Sequence, residues 1–448
     1  MLCKQFAIIQ GKENGVSSQL STQRKNMLTE KLYSQDVYMK ECQARVTEVV
    51  PFEGGHKIAL DRTVFFPEGG GQPADRGVLL PADRTMSDED GVIEIYDVHE
   101  SEGIVYHYAD ENQHLPSPGD TVTCRLDYGW RFINMQRHLG EHILSGAFAD
   151  LYGGVNRGFH MGDSYITVDI RLENDPAFDQ ITWEMCVEAE HAINDIIWKD
   201  LPVTVSHFTD PKQAAAMPLR KDLSDALAEN DEEITIVTVG DMDKPADCVA
   251  CCGTHPSGTA QVGLVKIYKV EKNKDMFRIY FDCGKYAMND YDEKHRIITD
   301  ISDRHSAGLE DLEKKMAAEE AKNSEVRAHM NTIVRSLAAV RAEDILTQAK
   351  EQPDQVIYRK YDDFTCDDIL KIGKIIGPEL KKPALILSEQ EHTVMLFSDG
   401  SIHCGNLVRE NANIYGGKGG GSDVQARAIF PDNKNIETFV DLIDKHLR

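Results

Sequence analysis

The chain has 448 residues, 41% of them apolar and 28% charged, with 49 lysines and arginines against 75 acids and a formal net charge of −26. Such a length fits roughly two to four domains, and the absence of any run of about 18 apolar residues excludes a membrane-spanning helix. The patch Phe6 to Ile9 is too short for a signal-peptide core, and ten irregularly spaced cysteines fit a reducing cytoplasm better than a disulfide-rich secreted scaffold. The acidity argues against a nucleic-acid coat protein, but its distribution is uneven. Residues 82–120 hold eleven acids against one base, whereas residues 264–288 hold six bases against three acids. That cationic strip could meet RNA; a solvated charged face accounts for it as simply.

Residues 1–36 read as an N-terminal extension, and Met27, which opens a cleaner pattern, is a candidate start. Residues 37–130 carry β-prone runs at 44–50, 57–60, 92–96 and 121–126. Turn residues separate them, notably Pro67-Glu68-Gly69-Gly70-Gly71-Gln72-Pro73, and the pattern predicts a small antiparallel β-barrel. Residues 131–299 read as an α+β domain. A helix over 131–150 places Phe132, Met135, Leu139, His142, Ile143 and Gly146 on one side. A strand at 164–170, a helix at 183–198, a strand at 202–207, a helix at 211–227 and strands at 233–239, 261–270 and 276–281 follow.

Residues 300–352 form a helical linker, either one long helix or a hairpin. Leu309, Leu312, Met316, Val326, Met330, Ile333, Leu337 and Val340 keep three-four spacing, a coiled-coil seam that Glu319 and Asn323 interrupt. Residues 353–448 read as a separate α/β unit, with strands at 384–387 and 393–397, a glycine run at 416–421 and a closing helix at 436–447. The fold class is therefore multidomain α+β.

Two short segments carry metal-binding chemistry. In His138-Leu139-Gly140-Glu141-His142 the histidines are four apart, on one face of a helix, and can chelate one ion. In Cys251-Cys252-Gly253-Thr254-His255 a turn could aim Cys251 and His255 at the same ion. Together they offer the mixed nitrogen and sulfur set that tetrahedral Zn²⁺ accepts. Cys248 and Cys252 stay open as alternative sulfurs. The first segment also fits H-x-x-E-H, an inverted-zincin metalloprotease pattern, but that reading leaves the second segment without a role. Cys248-x-x-Cys251 could be a redox pair, though no strand-then-helix context surrounds it.

The segments also occur in a recognisable order. Arg131 to Ser145, with Met135-Gln136-Arg137-His138 and His142-Ile143-Leu144-Ser145, resembles the R-x-x-x-M-Q-x-H-T-G-x-H-[LI]-L-S segment of alanyl-tRNA editing proteins. These are the free-standing, AlaX-type relatives of the editing domain of alanyl-tRNA synthetase. Cys251 to His255 is similar to their C-G-G-T-H box, and Phe65 to Gly77 to their F-[YF]-P-E-G-G-G-Q-x-x-D-x-G segment. Arg278 to Gly284 resembles the strand after that box, and Gly416 to Gly421 the glycine-rich loop of a DHHA1 domain. Leu139 stands where the family usually has Thr or Ser, and Cys252 and Arg427 where it usually has Gly.

The resemblance implies a barrel, a zinc-bearing editing domain, a helical linker and a DHHA1-like domain. It implies one Zn²⁺ per chain on His138, His142, Cys251 and His255, and deacylation in trans of mischarged tRNA(Ala), with a seryl ester the usual substrate and a glycyl ester the second. Gly70, Gly71, Gln72, His160, Gly420 and Gly421 become candidate substrate contacts at the acceptor end, and Glu141 a candidate general base. A homodimer through the linker or the C-terminal domain, a cytoplasmic location and no membrane partner complete the expectations. A tRNA-binding factor with a structural zinc and no turnover is the alternative.

Overall fold

The computed structural model describes residues 28–81, 91–111, 115–224 and 233–447. The expectations for residues 1–27 with Met27, for part of the acidic stretch and for residues 225–227 lie outside the described residues. The chain divides into two compact units between Ile297 and Ile298.

The first unit opens with β1 (Glu30–Lys31), helix α1 (Leu32–Gln35) and the long strand β2 (Glu41–Phe52), then β3 (Gly55–Leu60) and β4 (Arg62–Thr63). After these come β5 (Gly77–Pro81), β6 (Ile93–Ile95), β7 (Asp97–Ser101), β8 (Ile104–Asp110) and β9 (Thr121–Leu126). Seven of these strands form one antiparallel sheet in the order β6-β5-β9-β2-β3-β8-β7. A bulge between Val46 and Glu48 bends β2, so its first half pairs with β9 and its second with β3. Only Tyr96 separates the edge strands β6 and β7, and its N–H donates to the Tyr108 carbonyl at 3.1 Å. The sheet is thus a nearly closed barrel around Ile58, Leu60, Phe65, Leu79, Val105 and Val122.

His107 of β8 is wholly enclosed in that barrel, donating from Nδ1 to the Ile58 carbonyl (2.9 Å) and accepting at Nε2 from Thr63 Oγ1 (2.8 Å). Burial outweighs the carbonyl bond and lowers its pKa to about 4. The unfolded chain, whose histidine titrates near 6.5, therefore binds the proton more readily. This contribution is fully present above pH 6.5 and is lost as pH falls through about 4, on the order of 3 kcal/mol in all. His107→Gln is expected to flatten the acid limb of urea-unfolding stability over that window; an unchanged limb would count against this account.

Helix α2 (Tyr128–Tyr152) follows the barrel, with Asp127 accepting from Trp130 N–H (3.0 Å) at its start and left-handed Gly153 at its end. Strands β10 (Gly154–Met161) and β11 (Ile166–Leu172), helix α3 (Trp183–Trp198), strand β12 (Val203–Phe208), helix α4 (Pro211–Ala215), and strands β13 (Ile234–Val239), β14 (Asp247–Ala250), β15 (Val265–Asn273) and β16 (Met276–Cys283) complete the block. They make an antiparallel sheet β10-β11-β16-β15 and a smaller antiparallel sheet β12-β13-β14. α2 and α3 pack on the first through Leu139, Ile143, Phe148, Ile193 and Ile197.

Several boundaries differ from expectation for physical reasons. α2 is buried on nearly all sides from Asn134 to Phe148, so it is a central helix and not a surface helix with one apolar face. The helix expected at 211–227 stops at Ala215, because Pro218 disfavours helical backbone at Met217 and lacks an N–H to continue the ladder. A 3₁₀ turn (Thr259–Val262) ending at Gly263 replaces the start of the strand expected at 261. Expected breaks at 130/131 and 299/300 fall within or beside helices. Buried Arg131 binds Asp75 of the barrel, and the barrel and α2 block share one compact unit.

Helix α5 (Gly284–His305) runs across the division at Ile297. Within the second unit, α6 (Leu312–Glu351) is a single 40-residue helix after a break in which Ser306 has φ of +48°. Leu309, Met316, Val326, Met330, Ile333, Leu337 and Val340 are exposed, so the seam has no partner among the described residues, and only Leu312 is covered. β17 (Ile357–Tyr361), α7 (Cys366–Ile376), β18 (Ala384–Ser388), β19 (Thr393–Phe397), α8 (Cys404–Ala412), β20 (Lys418–Gly421), β21 (Gln425–Ile429) and α9 (Ile436–Leu447) follow. The mixed sheet β17-β18-β19-β21-β20 has both faces covered. Alternate residues of β18 and β19 point to the α6–α7 side (Ile386, Met395, Phe397) and the α8–α9 side (Leu385, Leu387, Val394, Leu396). The glycine run is an edge strand with a tight approach to α8, since a Cβ on Gly405 would lie 2.2 Å from the Gly421 carbonyl oxygen.

Candidate metal centre

α2 carries His138 and His142 one turn apart, and the turn after β14 carries Cys251 and His255. Their ligand atoms all lie within 4.8 Å of one another. His255 Nε2 stands 3.2 Å from His142 Nε2 and 3.7 Å from Cys251 Sγ, and His138 Nε2 stands 3.4 Å from that sulfur. Three imidazole nitrogens and one thiol thus converge on a single point. Cys248 is instead buried in β14 beside Thr238, and exposed Cys252 lies against Gly70.

Packing explains the glycine within the Cys-x-x-x-His turn. A Cβ on Gly253 would fall 2.2 Å from His138 Cε1, so only glycine lets the turn close over that ring. Gly71, at φ of +80°, similarly leaves room for the Phe159 ring, which lies 5.5 Å from His138 between ring centres.

Each histidine presents its inner nitrogen because its outer nitrogen faces elsewhere. His138 Nδ1 donates to Gln72 Oε1 at 2.9 Å, and His142 Nδ1 donates to Asp247 Oδ2 at 2.8 Å. His255 Nδ1 is buried with no protein partner among the described residues. Gln72, also fully buried, accepts from Thr254 N–H (3.0 Å) and donates to Thr254 Oγ1 (2.8 Å). The glycine-rich barrel loop therefore reaches the turn directly. Burial alone would push the Cys251 thiol up, but His138, His255 and hydrogen bonding bring it well below its ordinary value. Burial likewise works against a proton on His142, yet Asp247 and Cys251 raise its pKa to about 10, whereas burial holds His255 at about 4. A thiolate, three imidazoles and a carboxylate behind one of them form a donor set suited to a divalent cation, Zn²⁺ foremost.

Beside these residues lies a cavity of about 400 Å³, lined in part by Gly70, His138, Glu141, His142, Asn156, Phe159, Arg220 and Cys251. Glu141 is not among the four converging groups. Its Oε1 accepts from Ser145 Oγ (2.5 Å) and Asn156 Nδ2 (2.6 Å), on the cavity wall. Of the other sequence candidates, Gly70 lines the cavity, Gly71 lies against Phe159, and Gln72 is engaged with His138 and Thr254. His160 is exposed on β10, because strand alternation turns Phe159 inward and its neighbour outward. Gly420 and Gly421 belong to the second unit. Sequence reasoning missed Asn156, Asp247 and Arg220; Asp247 sits four residues before Cys251, a spacing with no meaning until β14 is in place.

Three family models match in chain order: tRNA synthetases class II (A) over residues 9–130, the threonyl and alanyl tRNA synthetase second additional domain over 234–280, and the DHHA1 domain over 354–448. The alanyl-tRNA editing protein AlaX-L of Pyrococcus horikoshii is 28% identical over 409 residues, covering 89% of this chain and 94% of its own. The alanine–tRNA ligase of Pyrococcus abyssi is 26% identical over 94% of this chain, which spans only 44% of the ligase. That of Halorubrum lacusprofundi is 33% identical over 58% of this chain and 26% of its own. Residues 234–280, which include Cys251 and His255, thus resemble the second additional domain of the threonyl and alanyl tRNA synthetases. Over nearly its whole length the chain is similar to an alanyl-tRNA editing protein, and it carries a DHHA1 match at its C-terminal end. No helix of the described residues is long and apolar enough to cross a membrane.

Proposed function

We propose that this chain deacylates mischarged tRNA(Ala) in trans, with seryl-tRNA(Ala) the main substrate and glycyl-tRNA(Ala) a second, at one zinc held by His138, His142, Cys251 and His255. The convergence of those four ligand atoms on the wall of an open cavity, in a chain similar to an alanyl-tRNA editing protein over nearly its whole length, carries the reading. Zinc bound there would polarise the ester carbonyl or orient the aminoacyl group. The chain's own residues supply the rest. Gly70 lies on the cavity wall, where its backbone can meet the acceptor end. Glu141, held by Ser145 and Asn156, offers a carboxylate that can accept a proton from an attacking water.

Selectivity follows from the same network. Alanine is smaller than serine, so size cannot reject it. A seryl hydroxyl can add hydrogen bonds to Glu141 and Asn156 that an alanyl methyl cannot make, and the methyl would displace water from those polar groups without replacing it. Hydrolysis of Ser-tRNA(Ala) is expected to exceed that of Ala-tRNA(Ala) by about 100-fold or more in kcat/KM. Equal rates for the two esters would contradict an editing role.

One observation favours a second reading. Four protein donors can fill a tetrahedral shell, as in a structural zinc site. A tRNA-binding factor without turnover would bind tRNA(Ala) and leave the ester intact. A metalloprotease needs a remote glutamate ligand, and Cys251 and His255 already complete the donor set.

The second unit is assigned to tRNA recognition. Its edge strand β20, with Gly420 and Gly421, offers backbone donors, and Lys418 and the neighbouring Arg409 offer cations for phosphate oxygens. The exposed seam of α6 is the surface a homodimer would use, and sedimentation would detect that dimer. A chain ending at His305 should keep its metal and hydrolyse a minimal aminoacyl ester, yet lose discrimination among whole tRNAs. Unchanged rejection of non-alanine tRNAs would refute this assignment.

A further inference from the structure

The three histidines differ in what stands behind them. His138 is backed by a neutral amide, His255 by no protein group among the described residues, and His142 by a carboxylate. Asp247, the first residue of β14, is almost wholly enclosed. A carboxylate only accepts, so His142 Nδ1 must carry its hydrogen, and Nε2 is the nitrogen left to serve as a ligand facing the site. Asp247 is held in turn. Its Oδ1 accepts from Arg220 Nε at 2.5 Å, with a longer contact of 3.4 Å from Nη2 to Oδ2. Arg220 comes from the irregular segment after α4, docked on β14 by a backbone bond from its N–H to the Cys248 carbonyl at 2.8 Å.

We propose that Arg220 and Asp247 are a positioning pair: they fix the tautomer and ring orientation of His142, make it the anchoring ligand of the centre, and tie metal retention to the docking of the segment after α4. This rests on the zinc reading above. Gln72 cannot substitute, because a neutral amide sets orientation without charge. A hydrogen-bonded carboxylate also makes the imidazole a stronger donor, and removal of such a group typically weakens metal binding by about 10–100-fold. Arg220 serves twice. Its charge compensates the enclosed carboxylate, and its backbone holds the segment against the strand that bears Asp247.

The test uses the full chain loaded with Zn²⁺ or Co²⁺. Asp247→Asn preserves shape and removes the charged acceptor; Arg220→Met removes the guanidinium; Arg220→Lys restores a cation. Zinc affinity, measured by competition with a chromophoric chelator, is expected to fall about 10–100-fold in D247N and in R220M, with partial recovery in R220K. The visible bands of the Co²⁺ form should shift in D247N, a change that loss of general stability does not produce. Should D247N not fold, the R220M and R220K pair carries the same comparison. Wild-type affinity and an unchanged Co²⁺ spectrum in these variants would overturn the inference alone. A wild-type protein that binds no zinc would overturn the zinc reading on which it rests.

Discussion

Replacing His142 by alanine is expected to lower ester hydrolysis and zinc affinity more than any other single substitution. It removes one of four donors and leaves Asp247 enclosed with only Arg220 as its partner. Loss of an outer partner costs about 10–100-fold in metal affinity, and loss of a ligand itself should exceed that. Hydrolysis of Ser-tRNA(Ala) should fall to background, while the melting transition of the C-terminal unit, which holds none of these residues, stays in place. Metal analysis of the purified variant with single-turnover hydrolysis checks both. Wild-type zinc content in active His142→Ala protein would contradict the ligand assignment.

The second large effect concerns stability. Arg131 opens the second turn of α2 and is fully enclosed. Its Nε meets both oxygens of Asp75 at 3.0 and 2.9 Å, Nη2 bonds Asp75 and the Val64 carbonyl (2.7 Å), and Nη1 bonds the Val37 carbonyl (2.9 Å). One guanidinium thus ties three barrel segments to the helix that carries the histidines. Burial already raises the Asp75 carboxyl despite Arg131, so the pair offsets its desolvation only in part. Arg131→Met strands the carboxylate and is expected to cost about 3–5 kcal/mol in urea unfolding. The Arg131→Met, Asp75→Asn double variant should recover part of that loss, because no unpaired charge remains. A single-variant loss under about 1 kcal/mol, the scale of exposed pairs, would show that the clamp is not structural.

Local signals were legible where one face of an element decides its period. α3 runs over the expected residues because Thr182 caps it and Cys186, Ala189, Ile193 and Ile197 form a narrow buried stripe. β9 is also as expected, with Val122, Cys124 and Leu126 inward. β8 was not evident, since its inward residues are Val105, His107 and Ala109, and a buried histidine does not read as core. The glycine run of the second unit reads as a loop until Gly405 shows that the glycines admit a helix against a sheet edge. At the candidate metal centre, local spacing pointed to the four residues that converge because each pair lies within one helical turn or one loop. The side chains hydrogen-bonded behind them were not evident in that place, because they come from distant segments. Gln72 stands 66 residues from His138, and Asp247 105 residues from His142. Only the fold makes them neighbours.

The most direct test of a zinc-centred deacylase is the rate of amino-acid release from Ser-tRNA(Ala) by full-length protein as purified, after exhaustive chelation, and after one equivalent of Zn²⁺ is returned. The account predicts release by the purified protein, loss of at least about 100-fold on chelation, and recovery with zinc. Full activity in chelated protein shown to be free of metal would contradict it.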